Sequence, residues 1–357
     1  MSAIETSIIH SPITIHLLVD SLYPMSHHDD LMRGINRRVF SADTGATELL
    51  HVLLSRPISS TTQEYQLLGN AIQAQKPETA NTPADLIDYQ GIKIKDWVIG
   101  SNKSHITPVD LLEKIGEEAN LTPPEMVFGG NQLMFFHVPT GVCYNFLAVE
   151  ALKCVHFAAQ NSKDETQKQL KVAIAKKRSS KLSELVKELD ISYDWTYTSE
   201  YRGSLSKLAP TDETDGALTQ SNATVLVEAT DERIDMEKLK EREPILWFDD
   251  VSLYEDELHD HGISIMNVKV RVMPSGFYIL GRYWLRLDQV VLRVYETRVH
   301  HLFGSKYLLR EYSRKESTVE ELAAKGYSRN MADYRKVDQF HHLLTLQEAV
   351  YEKILLE

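Results

Sequence analysis

The chain has 357 residues, 43% of them hydrophobic, with 39 Lys and Arg against 51 Asp and Glu and a formal net charge of -12. That balance repels nucleic acid and offers no long-range attraction to anionic membrane, and no apolar run is long enough to cross a bilayer. The two cysteines, Cys143 and Cys154, lack metal-ligand spacing and point to a reducing compartment, while Met1 to Tyr23 carries acids and no basic n-region and so does not read as a secretory signal.

In chain order, residues 1–90 read as a mostly disordered extension with one or two short helices. Ile13 to Leu22 is apolar, but Ser59 to Asp85 is rich in Ser, Thr, Gln, Pro and Ala without a period. A folded domain is expected over 91–357, opening on a strand through Ile92, Ile94, Trp97 and Ile99. Thr107-Pro108 starts a helix, since Thr can cap free amides and Pro suits the first helical position. Met126 to Phe128 and Gln132 to His137 predict strands, with Phe128-Gly129-Gly130-Asn131 as the tight turn between them, and Phe146 to Phe157 predicts an amphipathic helix. Leu170 to Ala175 reads as strand, Ser183 to Leu189 as helix, and the aromatic Tyr193 to Thr198 as strand. Gln160 to Gln167 and Ala209 to Asn222 read as loops. Thr224 to Glu228 predicts a strand, Asp235 the N-cap of a helix over Met236 to Arg242, and Gln339 to Leu356 a closing helix.

Between these lies the clearest pattern. Ile265 to Met273 alternates, Met273-Pro274-Ser275-Gly276 is a turn, and runs at Phe277 to Asp288, Val290 to His300 and Lys306 to Ser313 complete an antiparallel meander. Pairing Val272 with Ile279, and treating Asp288-Gln289 as a two-residue loop, puts Val268, Val270, Val272, Ile279, Gly281, Tyr283, Leu292 and Val294 on one face with Glu296 and Arg298. Gly281 then sits opposite Glu296, at a bulge or where another backbone comes close. The other face would carry Lys269, Arg271, Arg282, Arg286 and Arg293 with Trp284 and Tyr295, a basic ladder suited to internal pairs or to gripping a carboxylate.

The run Glu255-Asp256-Glu257-Leu258-His259-Asp260-His261-Gly262 holds four carboxylates and two imidazoles. It could serve a metal-dependent hydrolase, but consecutive acids on a turn mostly point apart, whereas a metal needs donors converging on one point. His300-His301 could add at most one ligand, since neighbours on a strand face opposite ways. Phosphate loops, nucleophile elbows and dinucleotide fingerprints are missing. The residues favour a binding protein without cofactor or metal.

Nine ordered blocks then carry a resemblance: Leu121 to Gly129, Glu150 to Lys153, Tyr193 to Thr198, Tyr201 to Gly203, Phe248 to Asp250, Tyr254 to Gly262, Val268 to Met273, Leu285 to Asp288 and Leu309 to Tyr312. Together they resemble the TIPRL (TIP-forty-one-like) family of type 2A protein phosphatase regulators. The resemblance implies an α+β fold of curved, mostly antiparallel sheets, meander or sandwich-like, with a few outer helices. It also implies a non-enzymatic, monomeric protein in TOR signalling, cytoplasmic with the nucleus as a second location. Its partners would be the catalytic subunit of type 2A-like phosphatases, whose free C-terminal tail enters a cleft, and an alpha-four-type phosphatase-associated protein.

The site residues it implies are Glu150, Ile234, Val294, Glu296 and Arg298, with Lys269 and Arg271 as further partners for a tail carboxylate. Alanine at Glu296 is expected to abolish phosphatase capture without unfolding the domain. The chain departs from the family pattern at Asn145 and Leu147, where an acid and an asparagine are usual, and at Lys176-Lys177-Arg178, where acids and a tryptophan are.

Overall fold

The period-2 alternation of the second half becomes four consecutive twelve-residue strands, β11 (Gly262–Met273), β12 (Gly276–Leu287), β13 (Val291–Leu302) and β14 (Tyr307–Thr318). The computed structural model describes residues 49, 50, 53, 65–69, 88–155, 196–210, 218–240 and 242–357. The meander is the centre of an eight-stranded antiparallel sheet. β4 (Met126–Val127) and β10 (Trp247–Asp256) lie before it, and β15 (Thr345–Leu355) and β9 (Val227–Ala229) after it. A second, seven-stranded sheet runs in the order β1 (Tyr65–Gly69), β2 (Asp88–Ile94), β3 (Trp97–Lys103), β5 (Gln132–His137), β6 (Val142–Leu147), β7 (Ser204–Pro210) and β8 (Leu218–Ser221). Among the residues from 88 on that are described, the α-helices are few and short: α1 (Val109–Ala119), α2 (Ala148–Lys153), α3 (Val319–Ala324) and α4 (Val337–Phe340). None among the described residues is long and apolar enough to span a membrane. The α+β, mostly antiparallel architecture that the resemblance implies is what is found, with the meander read from the residues at its centre.

The two sheets face one another over a shared core. Trp97, Ile99, Phe135, Tyr144 and Phe146 of the smaller sheet pack on Val268, Val270, Phe277, Ile279, Tyr283 and Val299 of the larger. Phe277 sits at the centre, stacked on Phe135 at 5.1 Å and edge-on to Trp97 at 5.0 Å between ring centroids. Two polar ties cross the same layer. Trp97 donates its indole N–H to His301 at 3.1 Å, and buried Asp249 of β10 accepts from Ser101 and Lys103 of β3.

Register corrects two expectations. The first hairpin pairs Val272 with Phe277, not Ile279. This shift of two residues leaves every side chain on its expected face. The second hairpin pairs Leu287 with Val291, so its loop is the three residues Asp288, Gln289 and Val290, with Gln289 at φ 64°. Three-residue hairpins place one residue in the left-handed region, and the extra residue flips the whole third strand. Leu292, Val294, Glu296 and Arg298 therefore point away from the inter-sheet core, while Arg293 and Tyr295 point into it. Glu296 lies opposite Arg282, and Gly281 opposite Thr297 without a bulge. A Cβ on Gly281 would meet the Phe146 ring at 3.5 Å, ordinary contact, so the glycine lies beneath that ring and opens no cleft.

Other elements move for tertiary reasons. Thr345 to Leu355 is a strand, not a helix, because it pairs along β14 and covers what would be an exposed ladder; only Val337–Phe340 is helical there. Leu147 still belongs to β6, so the helix after it is limited to Ala148–Lys153. The loop drawn over Ala209 to Asn222 contains the end of β7 and all of β8. Thr196 and Tyr197 form a turn, the latter at φ 57°.

Asp235 caps as expected, accepting from the amides of Glu237 and Lys238, but the turn it caps is the 3-10 segment Lys238–Lys240. Thr107 does not cap α1; its hydroxyl accepts from Gly129. The boundary at 90/91 falls inside β2, and β1 pairs upstream of it, while helical Leu49, Leu50 and Leu53 pack on Val98, Met134 and Leu147. Ile13 to Leu22, Gln160 to Gln167, Leu170 to Leu189 and Tyr193 to Trp195 lie outside the described residues.

His301 yields a pH prediction. Its Nε2 accepts from Trp97 and its Nδ1–H donates to the Tyr307 carbonyl at 3.0 Å, a fully used neutral ring. Burial pushes its pKa from 6.5 down to about 4. Below about pH 6.5 the unfolded chain takes a proton that the folded one refuses. The contribution is complete above that pH and is lost as pH falls to about 4, a span of about 3 kcal/mol. Urea midpoints measured from pH 7 to 4 should fall steeply in the wild type and less steeply in His301→Gln; identical slopes would exclude this role.

Candidate functional site

The flipped third strand builds the site. On the outward face of the larger sheet, one row carries Lys269, Leu280, Arg298 and Glu311, and the next Asn267, Arg282, Glu296 and Ser313. Apolar covers lie on both sides of these rows. Ile234 packs on Met273 and Tyr278, with Leu239, Leu280 and Leu309 around it. On the other side Leu322, Met331, Tyr334, Phe340 and Leu344 bury Trp284, Leu292 and Val294. A polar strip remains between the covers, tied to the first by the Ile234 amide, which donates to Glu311 at 2.7 Å.

Glu296 is the hub of the strip and is 1% exposed. Its Oε1 accepts from Arg282 Nε at 2.8 Å and Nη2 at 2.7 Å, and its Oε2 from Arg298 Nη2 at 2.6 Å. Burial would raise its pKa, but the two guanidinia outweigh burial and hold the carboxyl below its usual range. Arg282 spends its third nitrogen on Asp338 of α4 at 2.8 Å. Arg298 is half-buried, and its Nε and Nη1 meet no acceptor among the described residues. His341 borders the cluster, its pKa lowered by burial against the raising influence of Glu296. The arrangement is a guanidinium with spare donors, fixed from beneath and flanked by half-buried Leu280, which suits an extended chain ending in an anion.

The expected residues divide. Glu296 and Arg298 share the strip, Ile234 and Val294 lie inside the two covers, and Lys269 stands at one end, paired with Asp250 at 3.0 Å. Arg271 lies one row away, 5.8 Å from the Tyr278 ring centroid. Glu150 belongs elsewhere: it sits on α2 beside the smaller sheet and pairs with Lys153 at 3.0 Å. Asn145 and Leu147 are also on that sheet, Asn145 accepting from Gln132 at 3.1 Å. Sequence reasoning missed Arg282 as the partner of Glu296, because a two-residue loop assigned them to opposite faces. It also missed Glu311, Asp338 and His341, whose side chains arrive from separate elements.

The acidic run from Glu255 is structural. Asp256 caps with both oxygens, accepting from the amides of Glu125 at 2.9 Å and Leu258 at 2.6 Å. Leu258, His259 and Asp260 all have positive φ, 50°, 54° and 65°, a left-handed turn anchored by the wholly buried Leu258 side chain. Among the described residues no three His, Cys, Asp or Glu side chains converge to hold a metal.

Comparison with known proteins places this geometry. The chain matches the TIP41-like family over residues 126–323, from β4 into α3. It is 37% identical over 270 residues to a TIP41-like protein of Rattus norvegicus, covering 75% of this chain and 90% of that protein. The chain belongs to the TIP41-like family. It is also 38% identical over 262 residues to a TIP41-like protein of Homo sapiens, covering 72% and 87% of the two chains. A Saccharomyces cerevisiae relative, the type 2A phosphatase activator TIP41, is 31% identical over 250 residues, 67% and 66% of the two chains.

For this TIP41-like chain the burial of Glu296 changes the expected outcome of its alanine substitution. Removing one partner of a buried pair strands the other, at about 3–5 kcal/mol. Glu296→Ala should lose that much in urea unfolding, whereas Arg298→Ala, which leaves Arg282 on Glu296, should lose about 1 kcal/mol or less. Near-wild-type stability of Glu296→Ala would show that the hub is not the tight pair described.

Proposed function

We propose that this chain is a non-enzymatic regulator that binds the catalytic subunit of type 2A-like serine/threonine phosphatases. The subunit's free C-terminal tail would lie along the polar strip with its carboxylate on Arg298. Two relatives, from Saccharomyces cerevisiae and Schizosaccharomyces pombe, are named type 2A phosphatase activators, which supports a phosphatase partner. The observation that carries the reading is Arg298 itself, a guanidinium held by a buried acid with two nitrogens to spare. Such a group binds a carboxylate with little reorganisation.

On the same proposal Ile234 acts through the cover that positions Glu311, and Val294 through the cover on the other side. Lys269 and Arg271 raise the local positive potential at one end. Glu150, remote from the strip on α2, would contact a different part of the phosphatase or an alpha-four-type protein. The protein would act as a cytoplasmic monomer in TOR signalling until it meets the phosphatase. The metal-dependent hydrolase alternative gains no support from a run whose Asp256 oxygens already accept from backbone amides.

The test is capture of a peptide with the phosphatase C-terminal sequence, compared with its amidated form. The free acid should bind more tightly, and Arg298→Ala should weaken it by roughly tenfold to a hundredfold, the worth of hydrogen bonds to a charged group, with the melting temperature lowered by no more than about 4 °C. Equal binding of acid and amide, or an Arg298→Ala chain that binds like wild type, would refute the reading.

A further inference from the structure

Beside Glu296 and Glu311, a third carboxylate reaches the strip from outside the sheet. Arg282 and Arg298 are both bound to Glu296, so the trio by itself carries one net positive charge, with Glu311 beside Arg298 on the neighbouring strand. Asp338 supplies the compensation, its Oδ1 on Arg282 Nη1 at 2.8 Å. The two partners are unlike: the Arg282 side chain is 9% exposed and the Asp338 side chain 79%. Asp338 comes from the four-residue α4, held by Phe340, which is 1% exposed and packs against Trp284 and Tyr334. The anchor is firm, but the acid itself stands in water.

We propose that Asp338 is a built-in competitor, an autoinhibitory carboxylate that satisfies Arg282 while the strip is empty and yields that nitrogen when a ligand's terminal carboxylate arrives. The idea rests on the reading of the strip as a carboxylate site. A carboxylate bound to the spare nitrogens of Arg298 would enter the same charge cluster, because both guanidinia touch the same Glu296 side chain, Arg282 at Oε1 and Arg298 at Oε2. An ion pair with so exposed an acid is weak and salt-screened, so it is the contact that gives way, while the buried Arg282–Glu296 pair persists. Two acids competing for one guanidinium also repel each other, so Asp338 lowers affinity for any carboxylate ligand.

The experiment titrates wild type, Asp338→Asn and Asp338→Ala with the phosphatase C-terminal peptide as free acid and as amide. Glu320→Gln, which removes the same charge from an exposed pair on α3, serves as the control. Both Asp338 variants should bind the free acid roughly threefold to tenfold more tightly than wild type, with the amide and the Glu320→Gln chain unchanged and melting temperatures equal. Preference for the acid in wild type without tightening in the Asp338 variants would overturn the competitor and leave the carboxylate site standing. Absence of any acid preference in all chains would overturn both, whereas preference appearing only in the Asp338 variants would establish the competitor.

Discussion

The length of one hairpin loop governs the outward face of this protein. Asp288, Gln289 and Val290 make a three-residue connection, and that odd number decides which half of β13 faces the other sheet. With it, Tyr295 and Val299 join the inter-sheet core and Glu296 meets Arg282 outside. A two-residue loop would carry Glu296 inward, toward Gly281 and the Phe146 ring, and away from Arg282, which stays on the outward face of β12. Loop length, strand parity and charge burial thus form one constraint, because a side-chain period of two allows no intermediate solution.

Once Glu296 is outside, the two apolar covers acquire their function. They shield the acid almost completely, which makes its pairing with Arg282 obligatory, while the more exposed Arg298 is its second partner. Such a trio is weak as a source of stability, since desolvation offsets much of the Coulomb attraction. Its value is geometric: it holds two guanidinia at fixed positions on a rigid sheet, one with donors to spare. The sheet itself is held by other contacts, chiefly the Trp97, Phe135, Phe277 and His301 cluster and the Asp249 tie between the sheets.

Much of this was legible from residues alone, for identifiable reasons. The meander was readable because Val268, Val270 and Val272 alternate cleanly and Pro274-Ser275 marks the first turn. The face of β13 was not, because Asp288-Gln289 looks like a complete two-residue loop until Val290 is counted with it. The last strand reads locally as a helix, because its identity as a strand comes from β14, a partner that no local window contains. A signal that could have been used is Thr318-Val319-Glu320-Glu321, whose reciprocal capping box starts α3 and with it the cover over Val294. Of the site, Glu296 and Arg298 were reachable through family resemblance, but their partners Arg282 and Asp338 needed the register and the fold.

The most direct measurement of the central claim is a double-mutant cycle between the protein and its ligand. Arg298→Ala would be combined with amidation of the phosphatase C-terminal peptide, and the four affinities measured at one salt concentration. If Arg298 holds the terminal carboxylate, the two changes are non-additive, with a coupling energy of about 1.5 kcal/mol or more. Additive losses, with coupling indistinguishable from zero, would mean that the carboxylate and Arg298 do not meet, and the strip would lose its role as the tail-binding site.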